Sequence, residues 1–256
     1  MKKFGVVAKK DECSSLIENK IKEELTKNGW IETKIDPELV ICVGGDGTFL
    51  HAIHKYMNDL DRCCFLAIHT GTLGFFTDYT ADEIDLCIND ILTKKPSIKR
   101  KKLLEVEYMK QKYYAINEMR IENVIRTQLL EVDIDGQYFE TFRGTGMCLS
   151  TQSGSTAYNR SLSGAVIEEG LELLQLQEIT GIHHKKYSSL GVPYIMKSER
   201  QIEFKSDNFN DAILCYDHKH IDLEGNHSVK VQLSDKSFKI AEYRNIDYLD
   251  RIRILY

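Results

Sequence analysis

Five consecutive residues, Gly44-Gly45-Asp46-Gly47-Thr48, carry the clearest chemistry in this chain. They follow a continuous apolar run, Leu39–Val43, and precede a helical pattern begun by Phe49, Leu50 and Ile53. The glycines let the backbone turn tightly and point N–H groups at an anion. A helix starting near Thr48 adds the positive end of its dipole. Gly44, Gly45, Gly47 and Thr48 therefore read as a phosphate cradle. Asp46 is the anomaly, because a carboxylate repels the phosphates that such a loop collects. Two roles resolve this: holding a divalent metal, or taking a proton from an attacking hydroxyl during phosphoryl transfer. Plain turn geometry explains most Gly-Gly pairs; here the strand-to-helix setting and a second glycine loop favour the chemical reading. That second loop, Thr70-Gly71-Thr72-Leu73-Gly74-Phe75, also follows a buried run, Cys64–Ile68. There is no P-loop signature, and Gly144-Thr145-Gly146 is only a weak approach to a dinucleotide fingerprint.

The elements that must position these loops alternate in type. Phe4–Ala8 reads as a short buried strand, and Leu16, Ile17, Ile21 and Leu25 share one face of a helix ending near Gly29. Leu39–Val43 and Cys64–Ile68 are buried parallel strands by their continuous apolarity. Ile84, Cys87, Ile88 and Ile91 form another amphipathic helix. Strands alternating with helices predict an α/β domain with a parallel sheet over residues 1–97, with both glycine loops outside the carboxyl ends of strands. Around Pro96 and the basic run Lys99–Lys102 the pattern changes. Strand candidates then dominate: Leu103–Tyr108, Lys112–Ile116, Leu130–Ile134, Tyr138–Arg143, Gln201–Lys205, Ile213–Tyr216, Val229–Leu233 and Phe238–Glu242. Asp135-Gly136 is a two-residue hairpin turn, and Ser155–Glu168 is a helix candidate. Residues 98–242 thus read as a β-rich domain with one inserted helix.

Other candidates are ambiguous taken alone. Asn117-Glu118 is a polar turn after a strand unless a ligand uses it. Ser153-Gly154-Ser155-Thr156-Ala157-Tyr158 serves equally as a helix N-cap or a small-residue binding face. His183-His184 and His218/His220 lack the carboxylate or cysteine partners of a metal site and read as surface or hydrogen-bonded residues. Lys99–Lys102 reads as a solvated face rather than a phosphate site.

Together, Gly44–Thr48, Gly71–Phe75, Asn117-Glu118 and Ser153–Tyr158 resemble the NAD kinase family in order and spacing, over most of the chain. The chain looks in particular like the short enzymes of low-GC Gram-positive bacteria, through stretches such as Arg143–Ser161. The glycine loop alone is shared with lipid kinases; the Asn-Glu pair and the serine-rich run discriminate. The resemblance implies an N-terminal α/β domain, a β-rich C-terminal domain, and a tail (243–256) returning to the first. It implies ATP with a divalent metal (Mg or Mn), NAD as substrate, NADP as product, and a homotetramer built from dimers. Asp46 becomes the general base for the 2′-hydroxyl of the adenosine ribose, with Gly47 beside it. Asn117 and Glu118 hold the adenine and ribose side. Thr156, Ala157 and Tyr158 line the adenine pocket, with Ser153, Asn159, Arg160 and Ser161 beside them. Phe75 covers the ligand, and Asp217 and His218 sit near ribose and phosphates. Arg143 and Thr145 face the nicotinamide end, while Thr180, Ile182 and Tyr187 match positions reaching a partner's site.

The chain departs from the family pattern at defined points. Thr145 stands where the family carries aspartate, Gln152 where it has proline, Ser163-Gly164 where it has a glycine pair, and Thr180 where a small apolar residue is usual. None removes the proposed base. They leave two alternatives: a lipid-type kinase using the same loop, or a drifted NAD(P)-binding sensor without turnover.

Composition narrows the field further. The 256 residues are 42 % hydrophobic and 29 % charged, with a net charge of -5. That balance excludes the strongly basic character of a nucleic-acid-binding domain. No run of apolar residues is long enough to span a membrane, and the N-terminal apolar stretch is too short for a signal peptide. Seven cysteines scattered without metal spacing indicate reduced core residues of a cytoplasmic protein.

Overall fold

The computed structural model describes residues 2–71, 74–182, 187 and 189–253. It divides into two compact units, Met1–Lys101 with Lys236–Tyr256, and Lys102–Asp235.

The first unit opens with β1 (Lys3–Ala8), α1 (Glu12–Lys27), β2 (Ile31–Glu32) and β3 (Leu39–Val43). It continues through α2 (Asp46–Lys55), β4 (Cys64–His69), β5 (Tyr79–Thr80) and α3 (Ile84–Thr93). The strands are parallel, in the order β2-β1-β3-β4-β5. Asp11 caps α1 by accepting the Ser14 N–H at 2.8 Å, which satisfies one of the donors a helix N-terminus leaves unpaired. Every residue of β3 is buried, as a strand covered on both faces requires. Leu39, Ile41 and Val43 pack with Ile17, Ile21 and Leu25 of α1 and Ile84, Ile88 and Ile91 of α3. A second aromatic cluster is centred on Phe49 of α2, which lies edge-on to Phe65 and Phe238 and stacks on Phe76 at 4.7 Å.

The second unit is antiparallel. The chain enters it within β6 (Ser97–Tyr108), followed by β7 (Gln111–Ala115), β8 (Glu118–Glu122), β9 (Gln128–Ile134) and β10 (Gln137–Ser150). A single-turn α4 (Tyr158–Ser161) comes next, then β11 (Leu173–Gly181), β12 (Tyr194–Lys197) and β13 (Ile202–Ser206). Strands β14 (Ile213–Tyr216), β15 (Lys219–Asp222) and β16 (His227–Glu242) complete it. β10 is its central strand, paired with β9 along its first half and with β8 and β11 along its second. Its core gathers Leu130, Phe142, Leu149, Leu176, Phe204, Phe209 and Val231. Asp135 and Gly136 both have positive φ, 53° and 75°, the signature of a type I′ hairpin turn. After β16 the chain ends in α5 (Tyr248–Arg253), which belongs to the first unit.

Some expected elements differ. The helix anticipated over Ser155–Glu168 is a 3-10 turn, Ser153–Thr156, followed only by α4. Side chains compete with the helical ladder there: Ser155 Oγ donates to the Gln152 carbonyl and accepts the Ile167 N–H, and Ser163 adopts φ 65°. α2 begins at Asp46 rather than near Thr48. On α1 the buried face is Ser14, Ile17, Ile21 and Leu25, while Leu16 is 65 % exposed. β8 and β11 are further strands, and the alternation of Glu, Arg and Gln with their apolar residues is the period-2 signal that marks them. The basic run Lys99–Lys102 lies inside β6.

Candidate active site

The first unit holds the glycine-loop cavity. Lys9 and Thr70 follow the last residues of β1 and β4, and the glycine loop follows β3. Lys9, Gly45, Gly47, Thr48, Thr70 and Gly71 line one cavity of about 390 Å³. Gly44 has φ 150°, and a Cβ there would stand 2.3 Å from Thr48 Oγ1. Only glycine lets the loop fold against the first turn of α2. Its N–H is tied to the Ile68 carbonyl at 2.9 Å. Thr70 opens the second glycine loop; Lys9 has no motif in the sequence, although its place just beyond a parallel strand is the signal that finds it. Thr72 and Leu73 of the second loop lie outside the described residues.

Asp46 is the first residue of α2, with Gly45 as its N-cap. Its carboxylate accepts two backbone N–H groups, Phe75 to Oδ2 at 2.8 Å and Phe76 to Oδ1 at 3.0 Å. A Cβ on Gly74 would meet Asp46 Oδ1 at 2.4 Å, so the second loop closes over the carboxylate only because residue 74 is glycine. Each oxygen keeps lone pairs for a further donor. The Phe75 ring packs edge-on against Phe76 and Tyr248 and is buried. Its backbone N–H, and not its ring, is the part that meets Asp46.

The second unit joins the two discriminating motifs. Thr151 Oγ1 donates to the Ile116 carbonyl at 2.8 Å, and the Thr151 N–H to the Asn117 carbonyl at 2.9 Å. A Cβ on Gly154 would lie 2.0 Å from that Asn117 oxygen. The serine-rich turn therefore sits directly on Asn117-Glu118, at the start of β8. The Asp217 carboxylate accepts the N–H groups of Ile116 and Asn117, both at 2.8 Å. Asn117 Oδ1 and Glu118 Oε2 are buried without a hydrogen-bond partner. Such groups carry a desolvation penalty of about 1–3 kcal/mol each, and in native structures they call for a ligand or water. Burial, followed by the nearby charge of Asp217, pushes Glu118 up to about 8. Tyr158 is held by Arg120, whose guanidinium lies 4.0 Å from the ring centroid.

Around this junction Ser153 is buried, Thr156, Ala157 and Tyr158 are half-buried, and Arg160 and Ser161 are exposed. Asn159 is fully buried and donates to the Ser155 and Ala165 carbonyls at 3.3 and 3.4 Å, so its amide supports the turn. Gln152, in place of proline, has φ -54° and donates from Nε2 to the Ile167 carbonyl at 3.0 Å. It keeps a φ that proline would also adopt. His218 is exposed in the turn after Asp217.

A further corner of this unit gathers Arg143, Thr145, Thr180, Ile182 and Tyr187. The Ile182 N–H donates to the Arg143 carbonyl at 2.7 Å, and the Arg143 guanidinium lies 5.8 Å from the Tyr187 ring centroid. Thr145 and Thr180 fall at the same level of the β10–β11 ladder, between Gly144↔Gly181 and Gly146↔Ile179. Two departures from the family pattern are thus neighbours. Thr180 takes φ 50°, an outlier for a β-branched residue. His183 and His184 lie outside the described residues.

A parallel α/β unit with a glycine-lined cavity and a carboxylate held by two backbone N–H groups, and a β unit storing unpaired buried polarity, are the parts of a two-domain nucleotide-using kinase. The ATP-NAD kinase N-terminal domain family matches residues 4–95 and the ATP-NAD kinase C-terminal domain family residues 115–243. The chain belongs to the ATP-NAD kinase family. It is 34 % identical to NAD kinase 1 of Bacillus anthracis and to NAD kinase 1 of Bacillus subtilis strain 168, in each case over 98 % of this chain and 97 % of the relative. The fold is also that of a solved Archaeoglobus fulgidus NAD kinase in complex with ATP (TM-score 0.78, 24 % identity, 98 % of this chain and 99 % of that one). A yeast NADH kinase complexed with NADH is similar too (TM-score 0.83, 17 % identity, 99 % and 86 %). The chain is therefore a kinase, a phosphoryl-transferring enzyme. Among the described residues no helix is long and apolar enough to cross a membrane.

Proposed function

We propose that the chain transfers a phosphoryl group from ATP to the 2′-hydroxyl of the adenosine ribose of NAD, giving NADP, with Asp46 as general base. The observation that carries this reading is Asp46 itself, aimed by two backbone N–H groups from the loop that closes over it. Gly44, Gly45, Gly47 and Thr48, joined by Lys9 and Thr70, hold the ATP phosphates through N–H groups, hydroxyls and one ammonium. That donor set suits a divalent metal arriving on the triphosphate, where it screens phosphate charge. Asn117 and Glu118 receive the polar adenosine side. Their unpaired buried oxygens favour such a ligand over the apolar alcohol of a lipid kinase. General-base assistance supplies about 10²–10⁴ in rate.

The remaining site roles follow the same reading. Thr156, Ala157 and Tyr158 line the adenine pocket, and Arg143 and Thr145 meet the nicotinamide end. Thr180, Ile182 and Tyr187 serve the neighbouring subunit of a homotetramer, supported by the exposed apolar side chains Ile182, Leu190, Val192 and Ile195. Five buried free cysteines favour a reducing, cytoplasmic location. Incubation of the purified protein with ATP, Mg²⁺ and NAD tests the assignment. NADP is the expected product, and NAD binding without product would replace the kinase with a sensor.

A further inference from the structure

The two N–H groups that aim Asp46 belong to a turn whose other side is held by the C-terminal helix. Arg251, on α5, is 8 % exposed. Its Nη1 donates to the Phe75 carbonyl at 2.9 Å and to the Thr77 carbonyl at 3.0 Å, and its Nη2 pairs with Asp78 Oδ1. One guanidinium thus bridges three acceptors of the 75–78 segment. Phe75 is the shared link, with its N–H on Asp46 and its carbonyl on Arg251. Arg244 secures the next stretch: its Nε donates to the Asp78 carbonyl at 2.7 Å, and its Nη1 and Nη2 donate to Glu83 at 2.8 and 2.6 Å. The guanidinium also lies 4.1 Å from the Tyr79 ring centroid. The Tyr79 hydroxyl in turn donates to Asp90 Oδ2 at 2.8 Å.

Residues 74–78 form no regular element. Besides Asp46 and the two arginines they are held by the Thr77 hydroxyl on Gly74, by the Asp78 N–H on the Ala67 carbonyl at 3.1 Å, and by the Phe75 and Phe76 rings against Tyr248 and Phe49. The Phe76 ring sets the distance of the turn from α2. It does not set the rotation of the Phe75–Phe76 peptide, which decides whether the Phe76 N–H points at Asp46. The guanidinium on the Phe75 carbonyl does set it, because that C=O and the Phe76 N–H lie in one rigid peptide plane.

We propose that Arg251 is a positioning residue for Asp46: it orients the 75–78 turn so that the Phe75 and Phe76 N–H groups hold the carboxylate in its reactive rotamer. The proposal rests on the reading of Asp46 as general base. The tail of the chain then governs the chemical step without touching a substrate. A base displaced by about 1 Å loses much of its rate contribution while substrate binding is retained.

The test compares Arg251→Ala, Arg251→Lys and Asp46→Asn in the full-length protein by steady-state NADP formation, with thermal unfolding recorded for each. Arg251→Ala is expected to lower kcat by about tenfold or more, with KM for ATP and NAD held within about twofold. Lysine offers one ammonium in place of a planar fork and should recover little. Millimolar methylguanidinium, added to Arg251→Ala, should restore part of kcat and leave the wild type and Asp46→Asn unaffected. Loosened packing alone would not yield that rescue. An Arg251→Ala enzyme with wild-type kcat, or one whose lost activity is confined to KM and is indifferent to methylguanidinium, overturns the positioning role. Asp46→Asn keeps the two failures apart. If it retains normal turnover, the general-base reading falls and takes the proposal with it; if it is inactive while Arg251→Ala is unaffected, only the proposal falls.

Discussion

The two halves of the proposed site treat polar groups in opposite ways. In the first unit the carboxylate proposed to react is already satisfied: both Asp46 oxygens accept backbone N–H groups, and glycines at 44 and 74 let the loops close on Thr48 and Asp46. In the second unit the turn on β8 is tightly held by Thr151 and Asp217, yet Asn117 Oδ1 and Glu118 Oε2 are left buried and unpaired. The difference teaches a division of labour. A group that must act on a developing charge is preorganised before the substrate arrives. A group that must select a substrate is left unsatisfied, so that only a ligand with matching donors relieves it.

The largest expected effect breaks the first half alone. Asp46→Asn should lower kcat by about 10²–10⁴ while NAD binding, measured by calorimetry, stays unchanged; near-normal turnover would sink the base assignment. Next come two glycine replacements that contrast the halves. Gly74→Ala places a methyl against the end of a side chain and should displace Asp46, lowering kcat with little change in melting temperature. Gly154→Ala places it against the Asn117 backbone oxygen, which cannot move cheaply. It should destabilise the fold by about 1–3 kcal/mol and weaken NAD binding, as thermal unfolding and titration would show. A Gly154→Ala protein with unchanged stability and affinity would dissolve the junction described here.

A subtler effect is pH-dependent. Folded Glu118 keeps its proton up to about 8, whereas in the unfolded chain it loses it near the ordinary carboxylate value. Between these limits the folded state binds the extra proton, so this residue makes the protein less stable as pH rises. Glu118→Gln should remove that dependence and leave the protein at least as stable at pH 8. NAD affinity should rise with pH toward 8 in the wild type, as the carboxylate becomes available to accept hydroxyls, and stay flat in the variant. An identical pH profile for the two proteins would refute this account of Glu118. The smallest effect is expected of Thr145→Asp. A restored carboxylate opposite Thr180 should tighten NAD binding by up to about tenfold, and unaltered affinity would show that the corner tolerates either residue.

Much of this molecule was legible before its coordinates. The run Leu39–Val43 followed by Gly44–Thr48 announced strand, turn and helix because apolar continuity and glycine spacing are local properties. Asp135-Gly136 announced its turn for the same reason. Ser155–Glu168 misled, since its helical spacing of apolar residues is overridden by Ser155 and by Gly164, packed against the amides of Asn159 and Gln177. β8 carries the period-2 alternation of a strand in Glu118-Met119-Arg120-Ile121-Glu122; what the sequence does not show is the partners its charges find in the fold, such as Arg120 with Glu122 and Tyr158.

By itself, the order of residues determined the two-part architecture, the glycine loop and the carboxylate within it, together with family membership, for each depends on types and spacings read along the chain. Tertiary structure alone decided how that carboxylate is held. Phe75, Phe76 and Arg251 reach Asp46 or its turn from 29, 30 and more than 170 residues away. It also decided that Gly154 rests on Asn117 and that Glu118 is buried enough to keep its proton. Contacts between distant segments, and the desolvation they impose, have no signature in local sequence; they arise only when separate elements are packed against one another.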